Sequence, residues 1–335
     1  MQERKPEISV IIPCRNEERY IGKIIEDLIF HNKDLSLEII VVDGMSTDKT
    51  RDIVKSLSKK YPGIIKLIDN PARYVPHALN LGIKSARGDI LIRMDAHAIY
   101  PPHYIETLIK YLKNEKDAWN VGPVVEPAPY GNALFQKSIA IAQKSIFGVG
   151  NSLWRLGVKK PTYADTTPFF CMKRETFEKL GLFNEKLIRN QDAEFNARII
   201  KNGGKNLIIP DANVKVITRR DFKSLAKQYF EYGYYRALST KILKKTFSYR
   251  AFVPPVFFTL LIFSLLFSFA FKPAFYFFCM LALSYIFGAL LFSVYESIKA
   301  KNILFSFTLP LVYFIIHLSF ALGFIIGYLR NIGNE

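Results

Sequence analysis

Glu38-Ile-Ile-Val-Val-Asp-Gly-Met-Ser-Thr-Asp48 decides the fold. Four consecutive apolar residues, Ile39 to Val42, predict a strand covered on both faces. The run stops at Asp43-Gly44, and Ser46-Thr47-Asp48 opens a helix carrying Ile53, Val54 and Leu57. Towards the N-terminus the same unit is found. A strand over residues 8–13 ends at Pro13, Asn16 is expected to cap a helix, and Ile21, Ile24, Ile25 and Leu28 follow at helical spacing. Towards the C-terminus come a strand over 64–68, a helix over 78–86 and a strand over 89–95 that closes on Asp95. Doubly apolar strands alternating with helices predict an α/β fold: a mostly parallel sheet with helices on both faces. Ligands of such sheets bind at the carboxyl ends of the strands, where Asp43, Asp95 and the turn 13–17 fall.

The chain has 335 residues, half of them hydrophobic, and a net charge of +17. After residue 250 the only charges are Lys272, Lys299, Lys301 and Arg330 against Glu296 and Glu335, so +15 lies before that point. The apolar content excludes a disordered chain. Cys14, Cys171 and Cys279 are widely separated and lack Cys-x-x-Cys spacing, which indicates neither a disulfide framework nor a zinc site. No G-x-G-x-x-G or P-loop motif is present.

Residues 251–271 carry no charge, and 21 residues make a helix of about 31 Å, the thickness of a hydrocarbon core. A second uncharged run covers 273–295 and a third 303–329, where His317 is the one residue that titrates near neutrality and is expected to face the bundle or the interface. Three spans follow. Lys241, Lys244, Lys245 and Arg250 precede the first span, Lys299 and Lys301 fill the second loop, and the first hairpin has only Lys272. That bias predicts a cytoplasmic N-terminal domain and, after three crossings, an outside C-terminus. Glu3, Arg4 and Lys5 lead straight into the first strand, so no signal peptide is expected.

Ser9-Val-Ile-Ile-Pro-Cys-Arg-Asn-Glu17, the stretch 38–48, Asn80-Leu-Gly82 with Ala86-Arg-Gly-Asp89, Met94-Asp-Ala-His97 and Asn190-Gln-Asp-Ala-Glu194 together resemble the ordered motifs of family 2 glycosyltransferases, over about residues 6 to 220. The Asp-Ala-His variant, Arg219-Arg220, Gln228-Tyr-Phe-Glu-Tyr-Gly233 and the three terminal spans are most similar to membrane-associated glucosyltransferases of succinoglycan assembly. The resemblance implies a GT-A nucleotide-sugar-binding domain over 1–218, a basic amphipathic interface segment over 219–250 and a transmembrane domain over 251–335.

It also implies transfer of a hexose from a nucleotide-diphosphate sugar. Asp43 at a strand end suits the ring N–H of uracil, a bond strengthened by the ionised acceptor; its alternative is a turn aspartate. The resemblance places Pro13, Arg15 and Glu17 beside the base, Glu17 being equally suited to a helix's first turn. Asp95 and His97 lie on one side of an extended stretch and form a candidate site for a divalent metal bridging the diphosphate. The family's usual third residue is Asp, and His97 in its place favours Mn2+ over Mg2+. In the alternative reading His97 packs neutrally and Asp95 alone binds the metal. Asp192 at a helix start is the candidate general base, with Gln191 standing where the family has Glu. A single base opposite a departing diphosphate predicts inversion. Glu194 and Arg198 are expected to pair, and Asp89 is expected to be structural.

Residues 133–160 and 219–250 mix Lys and Arg with aromatics, the pattern of helices lying in lipid headgroups, with a nucleic-acid groove as the competing reading. Arg219, Arg220 and Gln228 are candidates for the acceptor's phosphates. The Gln-x-x-Arg-Trp pattern of processive synthases is absent. The expected partners are a nucleotide sugar, a polyprenyl-diphosphate-linked saccharide and the bilayer, without nucleic acid. Transfer directly onto polyprenyl phosphate is the alternative enzyme, and a non-catalytic membrane scaffold the alternative class.

Overall fold

A computed structural model describes residues 5–243 and 249–330. Glu3, Arg4, Lys244, Lys245 and Glu335, used in the charge and orientation arguments, lie outside the described residues, as does the end of the chain expected outside the cell.

The chain opens as strand–helix units: β1 (Ile8–Cys14), α1 (Ile21–His31), β2 (Leu37–Asp43), α2 (Thr50–Lys60), β3 (Ile65–Asp69), α3 (Val75–Ser85) and β4 (Ile90–Arg93). A less regular stretch follows: β5 (Ala98–Ile99), α4 (Tyr104–Asn114), β6 (Ala118–Ala128), α5 (Leu134–Ala142), α6 (Ile146–Val149), α7 (Leu153–Leu156), β7 (Thr162–Ala164), β8 (Phe170–Lys173), α8 (Arg174–Leu180), α9 (Gln191–Lys201) and β9 (Lys205–Ile217). Helices α10 (Phe222–Leu243), α11 (Val253–Phe267), α12 (Lys272–Lys299) and α13 (Phe305–Leu329) complete it. Two compact units divide the chain, one of Met1–Glu126 with Gly157–Val216, the other of Pro127–Leu156 with Ile217–Glu335.

The sheet runs β3-β2-β1-β4-β8-β6-β9-β5, with β7 paired to β9. It is mixed. The β3-β2-β1-β4 half is parallel, and its register sets Cys14 opposite Asp43 and Asp43 opposite Asp69, so three polar positions share one carboxyl edge. From β4 onward the pairings are antiparallel, with Arg93 opposite Phe170. Ile11, Ile40, Val42, Leu79 and Leu91 pack with Phe170, Phe177, Phe183 and Phe195 in one buried core. Gly82 brings α3 against β1, because a Cβ there would overlap the Ile11 side chain.

One local expectation differs. Helix α1 begins at Ile21, not after Asn16. Asn16 adopts a left-handed φ of 56° and its Oδ1 accepts from the Thr47 amide at 2.9 Å, so it closes the neighbouring loop and caps no helix.

In the second unit Tyr249–Phe267, α12 and α13 are long and apolar enough to cross a membrane. Helix α11 is shorter than the 251–271 run, since a 3-10 turn (Tyr249–Phe252) precedes it and the chain reverses over 268–271. Helix α12 extends past 295 to Lys299 because Ser293, Glu296 and Ser297 are buried against neighbours. Helices α10 and α13 meet backbone to backbone: a Cβ on Gly233 would strike the Phe320 carbonyl, and one on Gly323 or Gly327 those of Phe230 and Tyr234. The Gly323-x-x-x-Gly327 spacing puts both glycines on one helix face, the arrangement that lets helices approach closely. His317 faces protein. Its Nε2 bonds to the Phe147 carbonyl at 2.8 Å and its Nδ1 to the Tyr285 hydroxyl at 2.9 Å.

Candidate active site

Two loops zip together at the carboxyl edge of the parallel strands. The amides of Asn16, Glu17 and Glu18 donate to Ser46 Oγ, Thr50 Oγ1 and Asp48 Oδ2, and the Lys49 amide returns a bond to Glu18 Oε2 at 3.0 Å. Polar side chains of one loop therefore satisfy backbone groups of the other, leaving Pro13, Arg15 and Glu17 to line a cleft.

That cleft, of about 170 Å³, lies in the first unit and is bordered by Pro13, Arg15, Glu17, Asp95 and His97 together with Asn70, Arg73, Tyr74 and Arg93. Asp43 is absent from its wall. The Asp43 carboxylate is 0% exposed and its oxygens accept from Arg51 Nη1 at 2.7 Å, the Ser46 amide at 3.0 Å and the Ser46 hydroxyl. Arg51 also reaches Asp69 at 2.8 Å, and these bonds, that to Asp43 first, raise its pKa. Burial, then the charges of Asp43 and Glu17, push the Cys14 thiol far up, so it stays protonated at 3.9 Å from Asp43.

Arg93, at the end of β4, was not singled out from the sequence, yet it is the hub of the site. Its Nε and Nη2 donate to the two oxygens of Asp95 at 2.8 and 3.0 Å, a fork-on-fork pair that fixes the carboxylate's plane. Its side chain is 11% exposed. Burial opposes its charge, but Asp95 and, further off, Asp192 hold the guanidinium pKa above its ordinary value. It also stands over the Phe169 ring at 5.6 Å. The Asp95 amide donates to the Tyr100 hydroxyl at 2.7 Å. His97 turns its Nδ1 to Glu17 Oε1 at 2.8 Å, with 45% of its side chain exposed. A carboxylate on Nδ1 selects the tautomer that carries its proton there and leaves Nε2 as the basic nitrogen.

Asp192 sits in the first turn of α9, after Asn190 in left-handed conformation, and its Oδ1 accepts from the Ala193 amide at 2.8 Å. Glu194 and Arg198 pair as expected, at 2.8 Å. Asn196, one turn on from Asp192, was missed in the sequence. Its Nδ2 donates to Thr166 Oγ1 and the Thr167 carbonyl at 3.0 and 2.9 Å, and its Oδ1 accepts from Asn120 at 2.8 Å, tying the loop 166–169 to the helix. Gly122 lets that loop close in, since a Cβ would overlap Thr167. Asp89 pairs with Lys5 at the surface. Arg219, Arg220 and Gln228 belong to the second unit. There Arg220 pairs with Asp221 at 3.3 Å, and Gln228 Nε2 donates to the Tyr232 hydroxyl at 3.0 Å while its Oε1 is buried and unsatisfied.

The Glycosyl transferase family 2 model matches residues 9–181, just over half of the chain. The chain belongs to glycosyl transferase family 2. Among curated relatives of this family 2 protein, the succinoglycan biosynthesis protein ExoA of Rhizobium meliloti (strain 1021) is 34% identical over 233 residues, 68% of each chain. A Methanococcus voltae protein, dolichyl N-acetyl-alpha-D-glucosaminyl phosphate 3-beta-D-2,3-diacetamido-2,3-dideoxy-beta-D-glucuronosyltransferase, is 30% identical over 97% of this chain and 98% of its own. The mannosyltransferase PcManGT of Pyrobaculum calidifontis, solved with GDP-Man and Mn2+, shares the fold with a TM-score of 0.60 at 17% identity, covering 97% of this chain and 88% of that one.

Among the described residues no three His, Cys, Asp or Glu side chains converge on a common point. One carboxylate and one imidazole, Asp95 and His97, do face the same cleft. Such a pair fits a cation that brings most of its ligands with a diphosphate.

Proposed function

We propose that this family 2 protein is an inverting, metal-dependent transferase that moves one hexose-type sugar from a nucleotide-diphosphate donor, UDP-linked by preference, to a sugar carried on a polyprenyl phosphate or diphosphate at the cytoplasmic membrane face. The reading rests on one observation: the buried Arg93 guanidinium is forked onto Asp95 at the cleft and also comes under the charge of Asp192. That supports a diphosphate binder and a carboxylate base acting together. The relative from Methanococcus voltae, matched over nearly all of both chains, acts by its name on a dolichyl-phosphate-linked sugar and forms a 3-beta linkage, which supports single addition to a lipid-carried hydroxyl.

In this mechanism Pro13, Arg15 and Glu17 border the nucleotide, and Tyr74 at the rim offers an aromatic face to the base. Asp43 acts through Arg51 and the loop it closes, because its own oxygens are committed. Asp95 and His97 would hold a divalent metal, Mn2+ by preference, which when bound supplies Lewis-acid stabilisation of the leaving diphosphate. Arg93 adds a fixed positive charge beside the same leaving group. Asp192 takes the proton of the acceptor hydroxyl as its oxygen attacks the anomeric carbon. The bond to the diphosphate oxygen breaks on the opposite face, the nucleotide diphosphate leaves with the electron pair, and an α-linked donor gives a β-linked product. The catalytic unit belongs on the cytoplasmic side because Lys241, Arg250, Lys299 and Lys301 flank the apolar helices there.

The test is transfer from UDP-[14C]glucose, UDP-N-acetylglucosamine and GDP-mannose to short-chain polyprenyl-phosphate and polyprenyl-diphosphate sugars, with proton NMR of the product. A β-anomer formed only with metal supports the reading. An α-anomer, or equal transfer to bare polyprenyl phosphate by Asp192→Asn, overturns it.

A further inference from the structure

We propose that α13 lies along the cytoplasmic boundary of the bilayer, so that the hairpin α11–α12 makes the crossing and the third apolar helix is a surface element resting on lipid. This inference rests on the reading above that the hairpin spans the membrane. Three observations within the second unit carry it.

The first is the company α13 keeps. Helix α10 runs beside it in the same direction, from Phe230 against Gly323 through Tyr234 against Gly327 to Lys241, whose Nζ donates to the Arg330 carbonyl at 2.8 Å. Contact through glycine backbones leaves no room for lipid between them. The two helices therefore cross together or stay together at the surface. Helix α10 carries Lys223, Lys227, Glu231, Arg236 and Lys241, and three of these fall in its middle turns. Charged side chains are the costliest residues to place at the bilayer centre.

The second is where the ends of α13 lie. Its start follows Lys299, the end of α12, after the short turn 300–304. Near its other end the Phe324 ring stands 5.2 Å from Phe252, in the turn that leads into α11. In a spanning hairpin the start of α11 and the end of α12 are on the same side. From Phe305 to Phe324 is about 29 Å of helix, so a crossing α13 would carry Phe324 to the opposite face, away from Phe252.

The third is the exposed face. Phe307, Leu311, Phe314, Leu322, Ile326 and Leu329 are exposed, and at 100° per residue they share one stripe along the full helix. The other side is covered by protein: Leu309, Val312, Tyr313 and Ile316 pack in one buried cluster with Ile139, Leu225 and Tyr229, Tyr313 bonds to Ser145, and His317 bonds to the Phe147 carbonyl. The stripe is thus the side of α13 left for lipid, while the rest of its surface is packed against protein. Helix α12, at 28 residues or about 42 Å, is longer than the core is thick, and its surplus end, with Ala289, Ser293 and Glu296 buried, is where it meets neighbours.

The full-length protein with Cys279→Ser, its other two cysteines being buried, provides the test. Lys272→Cys and Leu329→Cys are probed in intact cells with a membrane-impermeant maleimide, before and after permeabilisation. Labelling of Lys272→Cys from outside, with Leu329→Cys labelled only after permeabilisation, is the expected result. Both labelled from outside overturns this inference alone. Lys272→Cys protected until permeabilisation overturns the spanning reading beneath it. In proteoliposomes, nitrobenzoxadiazole on Phe307→Cys, Phe314→Cys and Leu322→Cys should be quenched to the same extent by each brominated lipid, giving one shallow depth. Depths that pass through the bilayer centre at position 314 overturn the inference even if the maleimide result is ambiguous.

Discussion

Glu17 Oε1 stands 2.8 Å from Nδ1 of His97, eighty residues away in the chain. The pair makes Glu17 an orienting carboxylate behind a candidate metal ligand as well as part of the cleft wall. Glu17→Gln should weaken Mn2+ binding by about 10- to 100-fold, the usual effect of removing such a partner. Titration of Mn2+ by electron paramagnetic resonance, with UDP present, checks this. Unchanged Mn2+ affinity would return Glu17 to a purely nucleotide-side role.

Asp192→Asn should keep donor binding and lose about 10²- to 10⁴-fold in kcat, the share of a general base. Isothermal titration with the nucleotide sugar and steady-state kinetics separate the two effects. Loss of both together would assign Asp192 to structure.

Arg93→Met leaves Asp95 without its bidentate partner in a site one-fifth exposed. Removing one partner of such a pair costs about 1–3 kcal/mol, so the melting temperature should fall by several degrees and transfer should be nearly abolished. Arg93→Lys keeps the charge but loses the fork, and should recover stability better than activity.

Gly323→Leu would force α10 away from α13, because even a Cβ at this position overlaps the Phe230 carbonyl. Yield of membrane-extracted, monodisperse protein should drop sharply, as judged by gel filtration in detergent. Leu322→Ala, on the exposed face beside it, should leave yield unchanged.

Acidification should open the loop zipper before the core. Burial raises the Asp48 carboxyl, but bonds from the Thr50 hydroxyl and from the Thr50 and Glu18 amides together outweigh it and hold the group below its ordinary pKa. A depressed carboxyl stabilises the fold above its unfolded value, near 3.8, and that contribution is lost as pH falls through the lower folded value. Melting temperatures measured between pH 5 and pH 3 should therefore drop less steeply for Asp48→Asn than for the parent chain.

The parallel half of the sheet was legible because Ile39 to Val42 and Ile8 to Pro13 are strands with no polar face, and Asp43 and Asp95 mark their ends. The antiparallel half was not. Residues 118–128 and 205–217 are long, contain Pro123 and Pro210, and owe their pairing to contacts distant in sequence. Five of the seven residues singled out around the donor and catalytic site line the cleft, since strand ends converge on one edge. Asp43 reaches the same edge but is sealed by Arg51, a partner on the following helix that apolar periodicity does not reveal. Arg93 escaped notice because, inside an apolar strand, it reads as an edge residue until Asp95 folds back on it. Nothing in its spacing marks Asn196, and only the packing of loop 166–169 gives it work.

That packing bears on Arg93. Asn196 grips Thr166 and Thr167, Asn120 grips Asn196, and Gly122 leaves no slack beneath. A loop pinned at so many points has one shape, which fixes Phe169 beneath the Arg93 guanidinium. Side-chain changes at 166–168 that keep the anchoring asparagines therefore leave that ring in place, whereas lengthening or loosening the loop releases it.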